Sequence, residues 1–172
     1  MIKELWILIK MLFATRPSDF IYKDMEVEVM KHFPFQGNRY MCWCGKIITR
    51  SEKKAVIDRF LNTKAGAESK NHEGGHKVQA ITCHGDNWLR YYLDYYWNWF
   101  KHCPWIKPGH AAYYCNRYEV ECYAMQHDFT YFDLDTYTRK NLRGKYSIKN
   151  AKNLYKHMGG TPTAWKQYVK TL

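Results

Sequence analysis

Proline is scarce in this chain, 5 of 172 residues, and nowhere does it combine with glycine or serine into a linker. No internal repeat is visible either. Collagen-like and low-complexity architectures are thereby excluded. Long apolar runs are also missing: the longest, Leu5 to Ile9, is far short of the ~20 residues that span a bilayer, and the mean hydropathy is −0.63. Six cysteines are too few for a disulfide scaffold, and Cys42 and Cys44 stand too close in one strand to pair easily. They read as reduced, buried small hydrophobes of an intracellular, cytoplasmic protein, with secretion or association with a virion left open. Acidic side chains are outnumbered, 16 against 27 basic ones, which leaves a formal charge of +11. That excess suits anionic partners such as nucleic acid. The lysines are spread along the whole chain, so a solvated basic surface is the simpler reading.

What is abundant is apolar and aromatic surface, at 46% and 17% of residues. A chain of this length buries roughly two-thirds of its unfolded surface, enough for one self-sufficient globular domain. Leu5, Leu8, Ile9 and Leu12 recur at helical spacing and predict an amphipathic first helix over 1–16, ended by Pro17. Glu26-Val27-Glu28-Val29 alternates as a strand does. Tyr40 to Thr49 reads as a hairpin turning at Gly45-Lys46. Ser51 is the expected N-cap of a helix through Leu61, and a second helix is expected from about Lys64 to His84, closed by Gly85. Asp86 is expected to cap a third helix, Asn87 to His102, stopped by Pro104 and Pro108. A fourth is expected from near Asn116 to about Asp128, and Ser147 and Pro162 open two short terminal helices. The sum is an α+β fold, mostly helical with one small antiparallel hairpin.

Within the second long helix lies His72-Glu73-Gly74-Gly75-His76. Histidines four apart project from one helix face, so two imidazoles can reach one metal ion at ~2.0–2.1 Å. Glu73 can lean over the open coordination position, where a water would sit. With 8 His and 8 Glu in the chain, chance yields roughly 0.017 such patterns, which makes accident a poor explanation. Each glycine inside a helix costs roughly 0.8–1.0 kcal/mol relative to alanine. Two side by side imply either close approach of another backbone to the metal or a local break in the helix.

A catalytic zinc ion takes three protein ligands and keeps one open position. The downstream segment Asn116-Arg117-Tyr118-Glu119-Val120-Glu121-Cys122-Tyr123-Ala124 offers the third. At this point the chain resembles the gluzincin clan of zinc metallopeptidases, and within it the small single-domain HExxH proteins of bacterial and phage type. The likeness is one of motifs and runs from Asn71 to Ala124. It implies a minimal zincin-like core over 40–128 within one domain spanning 1–172, followed by a basic helical extension over 129–172. It also implies one Zn2+ ion, Glu119 as its third ligand with Glu121 as the fallback, and Glu73 as general base. Three residues depart from the pattern: Arg117 stands in place of proline, Cys122 in place of alanine and Tyr123 in place of an aspartate that orients the ligand histidines.

The residues also allow plainer roles. Asn116 and Glu119 fit a capping box, and Glu121 could be an ordinary solvated side chain. Tyr118, Cys122, Met125 and Phe129 form the apolar stripe of this helix, and the two glutamates flank it, so helical phase does not choose between them. His84, His102, His110 and His127 are competing ligands. For the oxyanion, Tyr113, Tyr114, Tyr123, His110 and Arg117 are near in sequence. The aromatic helix from Asn87 to His102 reads as core packed on several sides, bracing the metal site. Cys42-Trp43-Cys44 lacks the spacing of a second zinc site. These readings together give a zinc-dependent metallopeptidase acting on peptide or protein. The rivals are a basic nucleic-acid-binding module, or an assembly protein of a phage, whose zinc site is structural or vestigial.

Overall fold

A computed structural model describes residues 1–14, 25–34, 37–102 and 110–172, apart from the side chains of His110 and Arg143. Pro17, Pro104 and Pro108, expected to stop helices, lie outside the described residues. The elements run α1 (Ile2–Phe13), β1 (Val27–Val29), β2 (Tyr40–Trp43), β3 (Lys46–Thr49), α2 (Lys53–Asn62) and α3 (Lys64–His84). They continue as α4 (Trp88–His102), α5 (His110–Tyr114), α6 (Arg117–Met125), α7 (Arg139–Arg143), α8 (Ala151–His157) and α9 (Pro162–Val169). This is the expected α+β, mostly helical fold. Contacts divide the chain within α3 into two compact units, Met1–Val78 and Gln79–Leu172.

In the first unit the sheet order is β1-β3-β2. β2 and β3 form the expected antiparallel hairpin, with Tyr40 opposite Thr49 and Trp43 opposite Lys46. The turn is Cys44-Gly45 rather than Gly45-Lys46. Both residues have positive φ (52° and 77°), as a two-residue turn matched to strand twist requires. A cysteine is an unusual first occupant of such a turn, which is why the sequence points one residue too far. β1 adds a parallel neighbour to β3, Val27 opposite Ile47, so the sheet is mixed. Lys46 reaches across this pair to Glu26 and Glu28 at 2.9 and 3.4 Å.

α1 docks through Leu8, which packs with Met30, Phe33 and Ile48. The Trp43 indole donates to the Leu8 carbonyl at 2.9 Å, and Glu4 accepts from the Lys31 amide and the His32 ring. The N-cap position of α2 is Glu52, whose side chain makes no cap hydrogen bond, and not Ser51, whose amide is turned to Thr49 Oγ1. The α2–α3 elbow is tight. A Cβ at Gly66 would lie 2.1 Å from the Arg59 carbonyl oxygen, so only glycine fits there.

In the second unit Gly85 ends α3 at φ +62°, as expected. The cap of α4 is Asn87, whose Oδ1 accepts from the Arg90 amide, while Asp86 instead takes the Trp88 indole N–H. Expecting Asp86 as cap misses because Asp86 itself has positive φ (57°), which extends the turn by one residue. α4 is buried on one side only, through Trp88, Tyr91 and Tyr92. Leu89, Leu93, Tyr96, Trp97 and Phe100 are exposed, which corrects the expectation of packing on several sides. α6 ends at Met125, three residues short of Asp128, and Phe129 lies beyond it and exposed, so it is no part of the buried stripe. α5 and α7 are five-residue helices too short to leave a periodic signal. The helix expected to open at Ser147 begins at Ala151 behind Asn150. Thr161 caps α9, with Pro162 at its start as expected. The core here gathers Cys115, Val120, Ala124, Tyr155, Trp165 and Val169.

Candidate metal centre

α3 is a peculiar helix. From 71 to 80 every position except Glu73 is buried, yet Asn71, His72, His76, Lys77 and Gln79 are among them. Burying a polar group costs free energy unless a partner compensates, so packing alone would have selected apolar residues here. Gly74 and Gly75 are buried and helical, and α3 runs through them without a break. Glu73 is half-buried and keeps contact with solvent.

The His72 and His76 rings sit one helical turn apart, with centroids 5.0 Å from each other and planes at 86°. Ligand atoms of His72, His76 and Glu119 lie within 4.8 Å of one another, and all three residues are buried. Two imidazoles and one carboxylate are the donor set of a three-ligand zinc site, and ligands at 2.0–2.2 Å from one ion stand ~3.5 Å apart. In kind and number these donors match such a site.

The two candidate glutamates differ sharply. Glu119 starts the second half of the first turn of α6, whose N-cap is Asn116 accepting from the Tyr118 amide. Its Oε1 accepts the Tyr95 hydroxyl at 2.7 Å. Burial, and then the Glu119 charge, push the Tyr95 phenol well above its ordinary value, so it remains a donor. Glu121 is not solvated but wholly buried. Its carboxylate accepts from Gln79 Nε2 at 2.7 Å, the Tyr131 hydroxyl at 2.9 Å and the Tyr137 hydroxyl at 2.7 Å. It ties α3, α6 and the segment after α6 together, and it stands outside the group that could hold a metal.

The other expected candidates separate as well. Arg117 pairs with Asp94 and stacks over Tyr118. His84 lies 2.8 Å from the Tyr118 hydroxyl, which donates to Asp94. Both are thus part of an Asp94-centred cluster. His127 is exposed and His102 half-buried, and neither joins the group that could hold a metal. The side chain of His110 lies outside the described residues. Tyr113 and Tyr123 meet hydroxyl to hydroxyl at 3.4 Å. Burial, followed by the charge of Glu119, holds the Tyr113 phenol well above its ordinary value. Cys42 and Cys44 belong to no group of three ligand-bearing side chains among the described residues. Burial pushes the Cys42 thiol up to about 12, with His76 and Glu73 close enough to act on it in opposite senses.

Two residues near Glu119 escape a reading of the sequence. Tyr95 looks like one more aromatic of α4, and only its hydrogen bond singles it out. Lys166, from α9, places its ammonium 4.1 Å from the Tyr123 ring centroid and 5.4 Å from that of Tyr114. Burial lowers the pKa of Lys166, and the Glu119 charge acts in the opposite sense. A lone lysine 47 positions beyond Glu119 carries no motif, so no local signal could have found it.

No family model matches the chain, and no curated protein and no solved structure gives a significant match.

Proposed function

We propose that this chain is a zinc-dependent metallopeptidase with His72, His76 and Glu119 as metal ligands and Glu73 as general base. The observation that carries the reading is the buried convergence of two imidazoles and one carboxylate on donor atoms within 4.8 Å. A zinc ion held by that set would supply Lewis acidity and acidify a water at the site. Glu73, the motif residue that keeps solvent contact, takes the water proton on its carboxylate and returns it to the leaving amine. Tyr95 fixes the Glu119 carboxylate through its hydroxyl, the part that second-layer donors play around ligands. Lys166, held over the Tyr123 and Tyr114 rings, adds a positive charge that Glu119 feels.

The test is metal analysis combined with hydrolysis of a fluorescence-quenched peptide library. The parent is expected to hold one equivalent of zinc and to cleave. Glu73→Gln should keep the zinc and lose ~10²–10⁴-fold in rate, the usual contribution of a positioned base. A Glu73→Gln protein that holds zinc and cleaves at the parental rate overturns the assignment.

A further inference from the structure

A second feature uses none of the metal-site residues. At the open end of the β2–β3 hairpin, beyond the Tyr40–Thr49 pair, an open depression of about 360 Å³ is lined by Gly37, Asn38, Arg39, Arg50 and Ser51. Arg39 and Arg50 leave the two strands at neighbouring positions. Like charges set opposite each other across a strand pair repel, and among the described residues neither guanidinium has a carboxylate partner. From Gly37 to Lys54 there is a single acidic residue, Glu52, against Arg39, Lys46, Arg50, Lys53 and Lys54. Lys46 is already engaged with Glu26 and Glu28. The first turn of α2 holds no acidic side chain.

Two arginines lining one hollow, beside a serine and an asparagine, supply the donors a phosphate group takes, because the planar guanidinium fork binds phosphate oxygens in pairs. The net charge of +11 adds long-range attraction for a polyanion. We infer that this depression binds a phosphate group of a nucleic-acid backbone through Arg39 and Arg50, with Ser51 and Asn38 as neutral donors.

The experiment measures affinity for a fluorescein-labelled 20-nucleotide single-stranded DNA between 50 and 200 mM salt. It uses the full chain, Arg39→Gln/Arg50→Gln, and the control Lys149→Gln/Lys152→Gln, with folding checked by circular dichroism. Each lost phosphate contact lowers the salt slope by about 0.7 for single strands, so two remove ~1.4, or ~7-fold across this range. The arginine variant should lose that dependence, and the lysine control, which removes the same charge elsewhere, should keep it. Inorganic phosphate at constant ionic strength should compete with DNA on the parent and not on the arginine variant. Equal slopes in parent and arginine variant, or an equal loss in both variants, overturn the site. So does phosphate protection that survives loss of both arginines. Because zinc is not involved, a chain without bound metal can pass or fail this test independently of the peptidase reading.

Discussion

Substitution of Glu121 separates a carboxylate that holds the fold from the one proposed as a metal ligand. In Glu121→Ala three donors lose their acceptor. Tyr137, buried at 3% exposure, has no solvent to turn to, and an orphaned buried donor costs about 1–3 kcal/mol. Gln79 keeps its second bond, to the Tyr118 carbonyl at 3.1 Å, and half-buried Tyr131 can recruit water, so each loses less. With the cavity left behind, the expected total is about 3–5 kcal/mol. That is a large share of the ~5–15 kcal/mol typical of a whole domain. At a urea slope near 2 kcal/mol/M the midpoint falls on the order of 2 M. Glu121→Gln, which keeps the volume and one acceptor oxygen, should lose about 1–3 kcal/mol. Urea titration followed by tryptophan fluorescence reads both, and metal analysis of the folded proteins completes the comparison. Glu121→Gln should retain its zinc, while Glu119→Gln should lose it at little cost in midpoint without added metal. The reasoning is refuted if Glu121→Ala unfolds at the parental midpoint, or if the two glutamine variants exchange their metal contents.

Three further outcomes follow from other contacts. Tyr95→Phe, which deletes the hydroxyl on Glu119 Oε1, should weaken zinc ~10–100-fold in a chelator competition while leaving the ligands in place. Gly66→Ala should destabilise by about 1–3 kcal/mol in the same urea titration, since the elbow must open to admit a methyl against the Arg59 carbonyl. Burial alone would raise Asp94, but the Tyr118 hydroxyl and Arg117 outweigh it, so its pKa is held below the ordinary 3.8. Its stabilisation is therefore present above 3.8 and lost as pH falls through the lower folded value. Thermal melts at stepped pH should show a shallower acid decline in Asp94→Asn than in the parent.

Legibility of the fold and site followed the physics of each signal. His72, Glu73 and His76 stood out because one helical turn fixes their geometry regardless of what packs around them. The ends of α3 were readable since Gly85 supplies a positive φ that few residues adopt. Helical phase does not separate Glu119 from Glu121, and the preference for Glu119 rests on the resemblance; the partners that set the two apart, Tyr95 for one and Gln79 with two tyrosines for the other, are distant in sequence. The cap of α4 lies one residue later than composition implies, at Asn87, because Asp86 takes a positive φ. The outward face of α4 was misjudged because aromatic content measures how much surface exists and is silent on which side is covered.

The thiols have a practical consequence. Cys42, Cys44, Cys83, Cys115 and Cys122 are buried thiols, and burial pushes Cys115, like Cys42, up to about 12. Thiolate, the form that alkylating reagents attack, is nearly absent from these two sites at neutral pH. An iodoacetamide pulse would therefore mark them only in molecules that have opened. Mass spectrometry of the tryptic fragments would then clock the opening of the hairpin, through Cys42, separately from that of the C-terminal core, through Cys115.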